Sequence, residues 1–535
     1  MIRQRGAVAR FCFSMSLALL ATLAGAGPVT AKSLRLASAF DPQSMDPHSL
    51  ALLYQTRITS QIYESLVTRD RDFKTEPGLA VAWQAVDATT WRFKLRPNVK
   101  FHDGSPLTAD DVVFSLERAL AKTSQRSFQL RGVTGARKVD ALTVDLLLAA
   151  PDAVLADKLW LVGIMSKAWC EKHGVTLPQD YNAKQETFAV RNANGTGPYV
   201  LVSREQDVKT VLRRNDAYWG KAEYPAAVSE IVYLTIKADA TRVAALISGD
   251  VDFVHDVPVQ DIDRLEKAGH FRVNFGPENR TIFLGMDVAS PALATSNVKG
   301  KNPFADKRVR QAMNMTIDRG AIKRVVMRGQ SVPAGIIAPP FVNGYTKELD
   351  QLPKVDLDKA KALLKDAGYA EGFQVTLHCP NDRYINDEGI CQAVTGMLAK
   401  IGIKVNLVVQ PKGPHFTLLQ KTPPESDFYM LGWGVPTFDS HYVFAYLYHT
   451  RSGKDGGWNA TRYSNPDLDK SIQGLTEEID VVKRNAAIAR LWSTLSDETV
   501  YIALHHQMVA HAMKSDLDIP VRPDNWVYMK MTAAK

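Results

Sequence analysis

Cysteine is scarce in this chain, with four residues in 535, and Cys12 falls in the leader discussed below. No Cys-x-x-Cys or His-Glu-x-x-His occurs, and the adjacent His505 and His506 would point to opposite faces of a strand, so no metal site is expected. A phosphate-loop lysine motif and a nucleophile elbow are missing as well. Gly195-Thr196-Gly197 lacks a third glycine at the dinucleotide position and runs into Pro198, which makes it a tight turn and not a phosphate cradle. No cofactor is expected. Charge of one sign is also in short supply: the formal +8, less Arg3, Arg5 and Arg10 of the leader, becomes +5. That excess is too small and scattered to imply a nucleic-acid partner.

Long apolar runs are wanting beyond the N-terminus. The longest later uncharged run, residues 329 to 346, holds three prolines and three glycines and reads as loop, not as a span. At the N-terminus the three arginines lead into an uncharged run from Phe11 to Ala26, followed by Val29-Thr30-Ala31. This is the pattern of a signal peptide over residues 1–31, cleaved near Ala31 before Lys32, and Cys12 lies too early to be a lipid attachment site. The mature chain is expected to be exported, with no membrane span after signal cleavage.

What remains is about 500 residues, enough for two or three domains. Short alternating strands mix with amphipathic helices without a single repeating βαβ unit, so the class is α/β or α+β with several sheets. In residues 91 to 120, Trp91, Phe93 and Leu95 alternate, Asp103-Gly104 turns, and Thr108 caps a helix that buries Val112, Val113, Leu116 and Leu120. Residues 194 to 220 read as a hairpin, 231 to 254 as strand, helix, turn and strand. Residues 304 to 322 and 355 to 369 read as amphipathic helices. Residues 373 to 409 read as a βαβ unit. An exported chain permits a Cys379 to Cys391 bridge across PNDRYINDEGI, and the sequence leaves that pairing open.

Enzyme chemistry finds little support. Ser296-Asn297-Val298-Lys299 matches the Ser-x-x-Lys pattern of serine hydrolases, but its companion elements are absent and it lies in a polar loop. His102 beside Asp103 is read as a turn histidine. GWGVPTFDS, residues 432 to 440, stands out instead: with Tyr442, Phe444, Tyr446 and Tyr448 downstream it is aromatic and nearly uncharged, suited to a cleft wall.

SMDPH, FHDGSPLTADDVVFSLERAL, NGTGPYVL, RRNDAYWG, ALISGDVDFV, FADKRVRQAMNMTIDRGAI and DLDKAKALLKDAGY follow one another from residue 44 onward. Their ordered succession resembles the extracellular solute-binding proteins of family 5, the oligopeptide, dipeptide and nickel-type receptors of ABC importers. The resemblance implies a two-lobed periplasmic-binding-protein fold with an extra domain. Residues 32–60, 190–278 and 500–535 would form domain I, 61–189 the extra domain II, and 279–499 domain III, with hinge crossings near Glu278 and Val500. It implies a non-enzyme: a monomeric periplasmic receptor that closes on a peptide or peptide-like small solute and delivers it to an inner-membrane permease. An opine-like conjugate, an oligosaccharide or a metal chelate is the alternative cargo. In peptide receptors an acid three residues after the loop's Trp pairs with the ligand's α-ammonium; here that position is Pro436, and Asp439 is the substitute on offer. By the same resemblance Trp433, Phe438 and Tyr54 would face the ligand, and Arg383 would take its carboxylate.

Overall fold

A computed structural model of the protein describes residues 32–534 except 71–72, 182, 225–227 and 453–454. The signal-peptide expectation falls on residues 1–31, outside the described residues. Two strands organise the molecule: Phe271–Met286 has 16 residues and Tyr501–Lys514 has 14, whereas a strand in a globular domain averages about five or six. They pair antiparallel, but not as one ladder. Phe271 to Pro277 faces Lys514 to Met508, Thr281 to Gly285 faces His506 to Tyr501, and the register shifts between Pro277 and Thr281.

The break separates two cores. On one side Val273 and Phe275 pack with Val254, Val257 and Ala510; on the other, Ile282 and Leu284 pack with Phe304, Phe428, Ile502 and Leu504. Glu278, expected at a crossing, lies in the break. The residues facing it are Met508 and His506, further along the chain than Val500.

Around these two strands grows an eleven-stranded mixed sheet. On the first-lobe side, Tyr501–Lys514 pairs with Phe253–Val254, and Lys32–Ser38 lies parallel between that strand and Val228–Thr235. The expected hairpin, Tyr199–Glu205 with Lys209–Arg214, completes this half. On the other side Phe271–Met286 pairs antiparallel with Phe428–Trp433. Beyond it Phe373–Pro380 and Ile403–Gln410 run parallel, joined by the helix Asp387–Ala399, which is the βαβ unit read from the sequence.

A separate four-stranded antiparallel sheet, in the order Ala80–Asp87, Thr90–Leu95, Thr143–Leu148, Val133–Asp140, forms the extra domain. Phe93 and Leu95 are buried, as the alternation requires. The helix Ala109–Leu120 buries Val112 and Leu116 in the same core and starts on a capping box: the Thr108 backbone N–H donates to the Asp111 carboxylate at 2.9 Å.

Two motifs shown by the sequence turn out to be joints. Asp46 and His48 of SMDPH are fully buried, and Asp46 takes two bonds from Arg118 of the extra-domain helix at 2.6 and 2.8 Å. Gly197 donates its N–H to the Ile62 carbonyl at 2.8 Å, and a Cβ on Gly195 or Gly197 would collide with the backbone at residues 61 and 62. The GTGP turn is therefore glycine because two backbones touch there. Ser296 of the Ser-x-x-Lys match is buried, and its hydroxyl accepts from the Val298 N–H at 3.1 Å within a loop. His102 bonds the Gly197 carbonyl at 3.0 Å as part of the same turn. No described helix is long and apolar enough to cross a membrane.

Candidate functional site

The strand Phe428–Trp433 ends beside the register break and hands the chain to residues 434 to 439. From there the predicted residues diverge. Trp433 turns one way, 8% exposed, with Tyr442, Tyr446 and Trp458 at ring distances of 5.8, 6.0 and 5.7 Å. Its indole N–H is buried and meets no acceptor among the described residues. Phe438, held at φ +54°, turns the other way, onto Phe73 at 4.2 Å and Trp160 at 5.7 Å, both of the extra domain. Arg69 stands 5.2 Å over the Phe438 ring. Arg522 stands 5.0 Å over Phe73, and Trp526 lies 4.8 Å from Trp160, so the C-terminal segment closes this aromatic box.

Asp439 faces neither side. Its carboxylate takes Arg484 at 2.7 and 2.8 Å, Asn343 at 2.9 Å and the His441 N–H at 2.9 Å. Burial would raise its pKa, but these bonds outweigh burial and leave it below the ordinary carboxylate value. The expectation that Asp439 replaces the missing acid is corrected: a carboxylate engaged on every side caps the helix Ser440–Val443 and is not open to a ligand. Next to it three of the loop's carbonyls each accept a bond. Val435 O accepts from Asn279 at 2.8 Å, Pro436 O from the Trp160 indole at 3.1 Å, and Thr437 O from Arg69 at 3.5 Å.

Arg383 behaves differently. It sits in the loop between the strand Phe373–Pro380 and the helix Asp387–Ala399, a loop tied at its ends by the Cys379–Cys391 disulfide. Asp387 accepts the backbone N–H groups of Arg383, Tyr384 and Glu388 at 3.0 Å each, and Asp382 accepts the Lys412 N–H at 2.7 Å. Both acids that could have paired with the Arg383 guanidinium are engaged elsewhere, and it forms no ion pair among the described residues. Tyr384 lies buried beneath it, its hydroxyl donating to Gly432 O at 3.2 Å. Arg280, from the register break, shares that ring: the two guanidinium carbons are 5.1 and 5.7 Å from its centroid. The Arg280 cation is the largest influence on Arg383, and it pushes the pKa down. Glu278 pairs with Arg280 at 3.1 Å and also accepts from Gln507.

Tyr54 stands apart. It stacks on Phe40 at 5.1 Å, half-buried on the helix Leu53–Ile62, and no described hydrogen bond or ring contact joins it to Trp433 or Arg383. Between the extra domain and the second lobe lies a cavity of about 420 Å³, lined by Phe128, Pro151, Pro436, Tyr442, Tyr446 and Ile472 among others. No group of three or more potential metal ligands occurs among the described residues. Sequence reasoning missed Trp160, Arg69 and Phe73, which lie outside every motif read from the sequence, and Arg280, whose one signal was its place beside Glu278 at the expected crossing.

Comparison with known proteins agrees with this architecture. The chain is 27% identical over 445 residues to the glutathione-binding protein GsiB of Pectobacterium atrosepticum, covering 82% of this chain and 81% of the relative. It is 26% identical over 464 residues to the periplasmic murein peptide-binding protein MppA of Escherichia coli, covering 83% and 82%. Among solved structures, the ABC transporter substrate-binding protein CtaP of Listeria monocytogenes superposes with a TM-score of 0.81 at 20% identity, covering 94% of this chain and 99% of that one, and so shares the fold. The profile of bacterial extracellular solute-binding proteins, family 5 (middle region), matches residues 74–455. With two lobes hung on shared strands, an extra domain fastened to the first by Asp46 and Arg118, and a profile match over most of its length, the chain belongs to family 5 of the bacterial extracellular solute-binding proteins.

Proposed function

We propose that this protein is the periplasmic receptor of an ABC importer, a monomer that captures a peptide or peptide-like solute by lobe closure and presents the closed form to an inner-membrane permease. The observation that carries the reading is the pair of strands shared by both lobes and broken in register at 277–281, with a separate core on either side of the break about which the lobes could rotate. A solute touching both walls favours the closed state by its differential contacts with the two states. The relatives GsiB and MppA carry peptide names, glutathione-binding and murein peptide-binding, which supports a peptide cargo.

The test is a thermal-shift and equilibrium-dialysis screen of the mature protein over di- to hexapeptides. A stabilising peptide is expected, because a ligand at a hundred times its Kd stabilises by about 2.7 kcal/mol. Silence across all lengths would sink the peptide part of the reading. A non-peptide cargo such as an opine-like conjugate is the second reading, favoured by Pro436 where peptide receptors carry an acid and by the engagement of Asp439 with Arg484.

A further inference from the structure

We propose that the seam between the first lobe and the extra domain holds a second solute site, for a small zwitterion of the amino-acid class: its carboxylate meets the Lys530 ammonium and its ammonium meets the Glu76 carboxylate. This goes beyond the cargo reading and adds a co-ligand to it.

A cavity of about 270 Å³ lies in that seam. Its walls come from the helix Leu53–Ile62 and the residues just after it, from the short paired strands Val67–Arg69 and Thr75–Pro77, from Trp219 and Tyr224, and from the C-terminal segment. No described residue of the second lobe lines it, so an occupant need not bridge the two lobes.

Lys530 is the group that asks for a ligand. It is 7% exposed, and its ammonium stands 4.5 Å from the centre of the Tyr224 ring and 5.7 Å from that of Tyr528. Among the described residues that ammonium has no hydrogen bond and no ion pair, whereas buried charges are ordinarily bonded. Burial pushes its pKa down, against the pull of Glu64 and Glu76. Glu76 is the mirror case: half-buried, with no donor on its carboxylate among the described residues, it has its pKa pushed up by burial.

The other charges of the cavity are placed. Glu64 accepts from the Tyr218 hydroxyl at 2.8 Å, the Trp219 indole at 2.7 Å and the Thr196 hydroxyl at 2.9 Å. Arg96 lies 4.1 Å over the Trp219 ring and donates to the Gly78 carbonyl, Arg126 donates to the Pro47 carbonyl and the Thr56 hydroxyl, and Glu223 is exposed. Three acids and three bases therefore line the cavity, with one cation and one acid left unbonded and no surplus of either sign. A simple anion would be repelled by Glu64 and Glu76, and a simple cation by Lys530. A molecule carrying both charges meets each with its opposite. The rings of Trp219, Tyr224, Trp526 and Tyr528 suit an apolar side chain between those ends.

The experiment titrates the full mature chain, by calorimetry and thermal shift, with the common L-amino acids, β-alanine and γ-aminobutyrate, each beside its deaminated acid and its decarboxylated amine. At least one zwitterion should bind and raise the Tm. Its two half-molecules should bind roughly tenfold or more weakly, the worth of a charge-assisted bond. Glu76→Gln and Lys530→Gln should each cost a similar factor, and the empty Glu76→Gln protein should keep its Tm because no bond is lost. Silence across every zwitterion, a half-molecule that binds as well as its parent, or an affinity that survives either substitution would overturn the inference and leave the receptor reading standing. A fall of several degrees in the Tm of empty Glu76→Gln would make that carboxylate a structural group and overturn it too.

Discussion

Replacing Asp439 by Asn leaves the Arg484 guanidinium, 5% exposed, without its carboxylate. Breaking a buried pair from one side costs about 3 to 5 kcal/mol, so Asp439→Asn should lower the urea midpoint sharply. Any bound solute should keep its affinity in the fraction that remains folded. Asp252 makes a prediction about acid. Burial raises its pKa, but the bonds from Arg35 and Lys514 outweigh this and hold it at about 2. A carboxylate depressed in this way supplies stability that is complete above its ordinary value near about 4 and drains away as pH falls toward the folded value. Denaturant midpoints measured between pH 6 and 2.5 should therefore converge for wild type and Asp252→Asn as acid is added. At this scale the sequence was only partly readable. Arg383 was singled out by the family resemblance alone, whereas nothing near Asp439 announces Arg484, 45 positions later, as its partner.

The loop between Cys379 and Cys391 is the element on which the candidate site most depends. The bond closes a 12-residue separation, worth about 3 kcal/mol by loop-closure entropy. It encloses Arg383, Tyr384 and the Asp387 carboxylate that pins their backbone. The double variant Cys379→Ser, Cys391→Ser should lose about that much in urea unfolding, and it should also bind more weakly, because Arg383 would no longer be held against the Tyr384 ring. Both sulfurs are buried, so dithiothreitol should leave the native protein intact and act only once urea opens it. Elements of this kind were legible where the pattern is local: the Thr108 cap, the alternation at Phe93 and Leu95, and the βαβ unit all follow from neighbours in sequence. The pairing of Phe271–Met286 with Tyr501–Lys514 was not, since strands more than 200 residues apart leave no periodic trace of each other.

Taken whole, the molecule has an aromatic contact where Phe438, backed by Phe341, meets Phe73 and Trp160. Phe438→Ala should therefore weaken closure more than folding: small-angle scattering of the empty protein should show a larger radius of gyration, with the Tm changed by only a few degrees. An unchanged radius would mean that other contacts hold the lobes together, such as the Arg131 to Asp455 pair at 3.1 Å. The shared strands carry a further consequence for how the protein is made. Lys32–Ser38, the first strand in the described chain, sits in the same sheet as Tyr501–Lys514, and Phe253–Val254 between them stays unpaired on one side until the last 35 residues arrive. Contacts so distant in sequence fold slowly. The first lobe thus cannot complete its sheet until Tyr501–Lys514 has been made, and a chain stopped at residue 500 would forfeit the beginning of the protein along with its end.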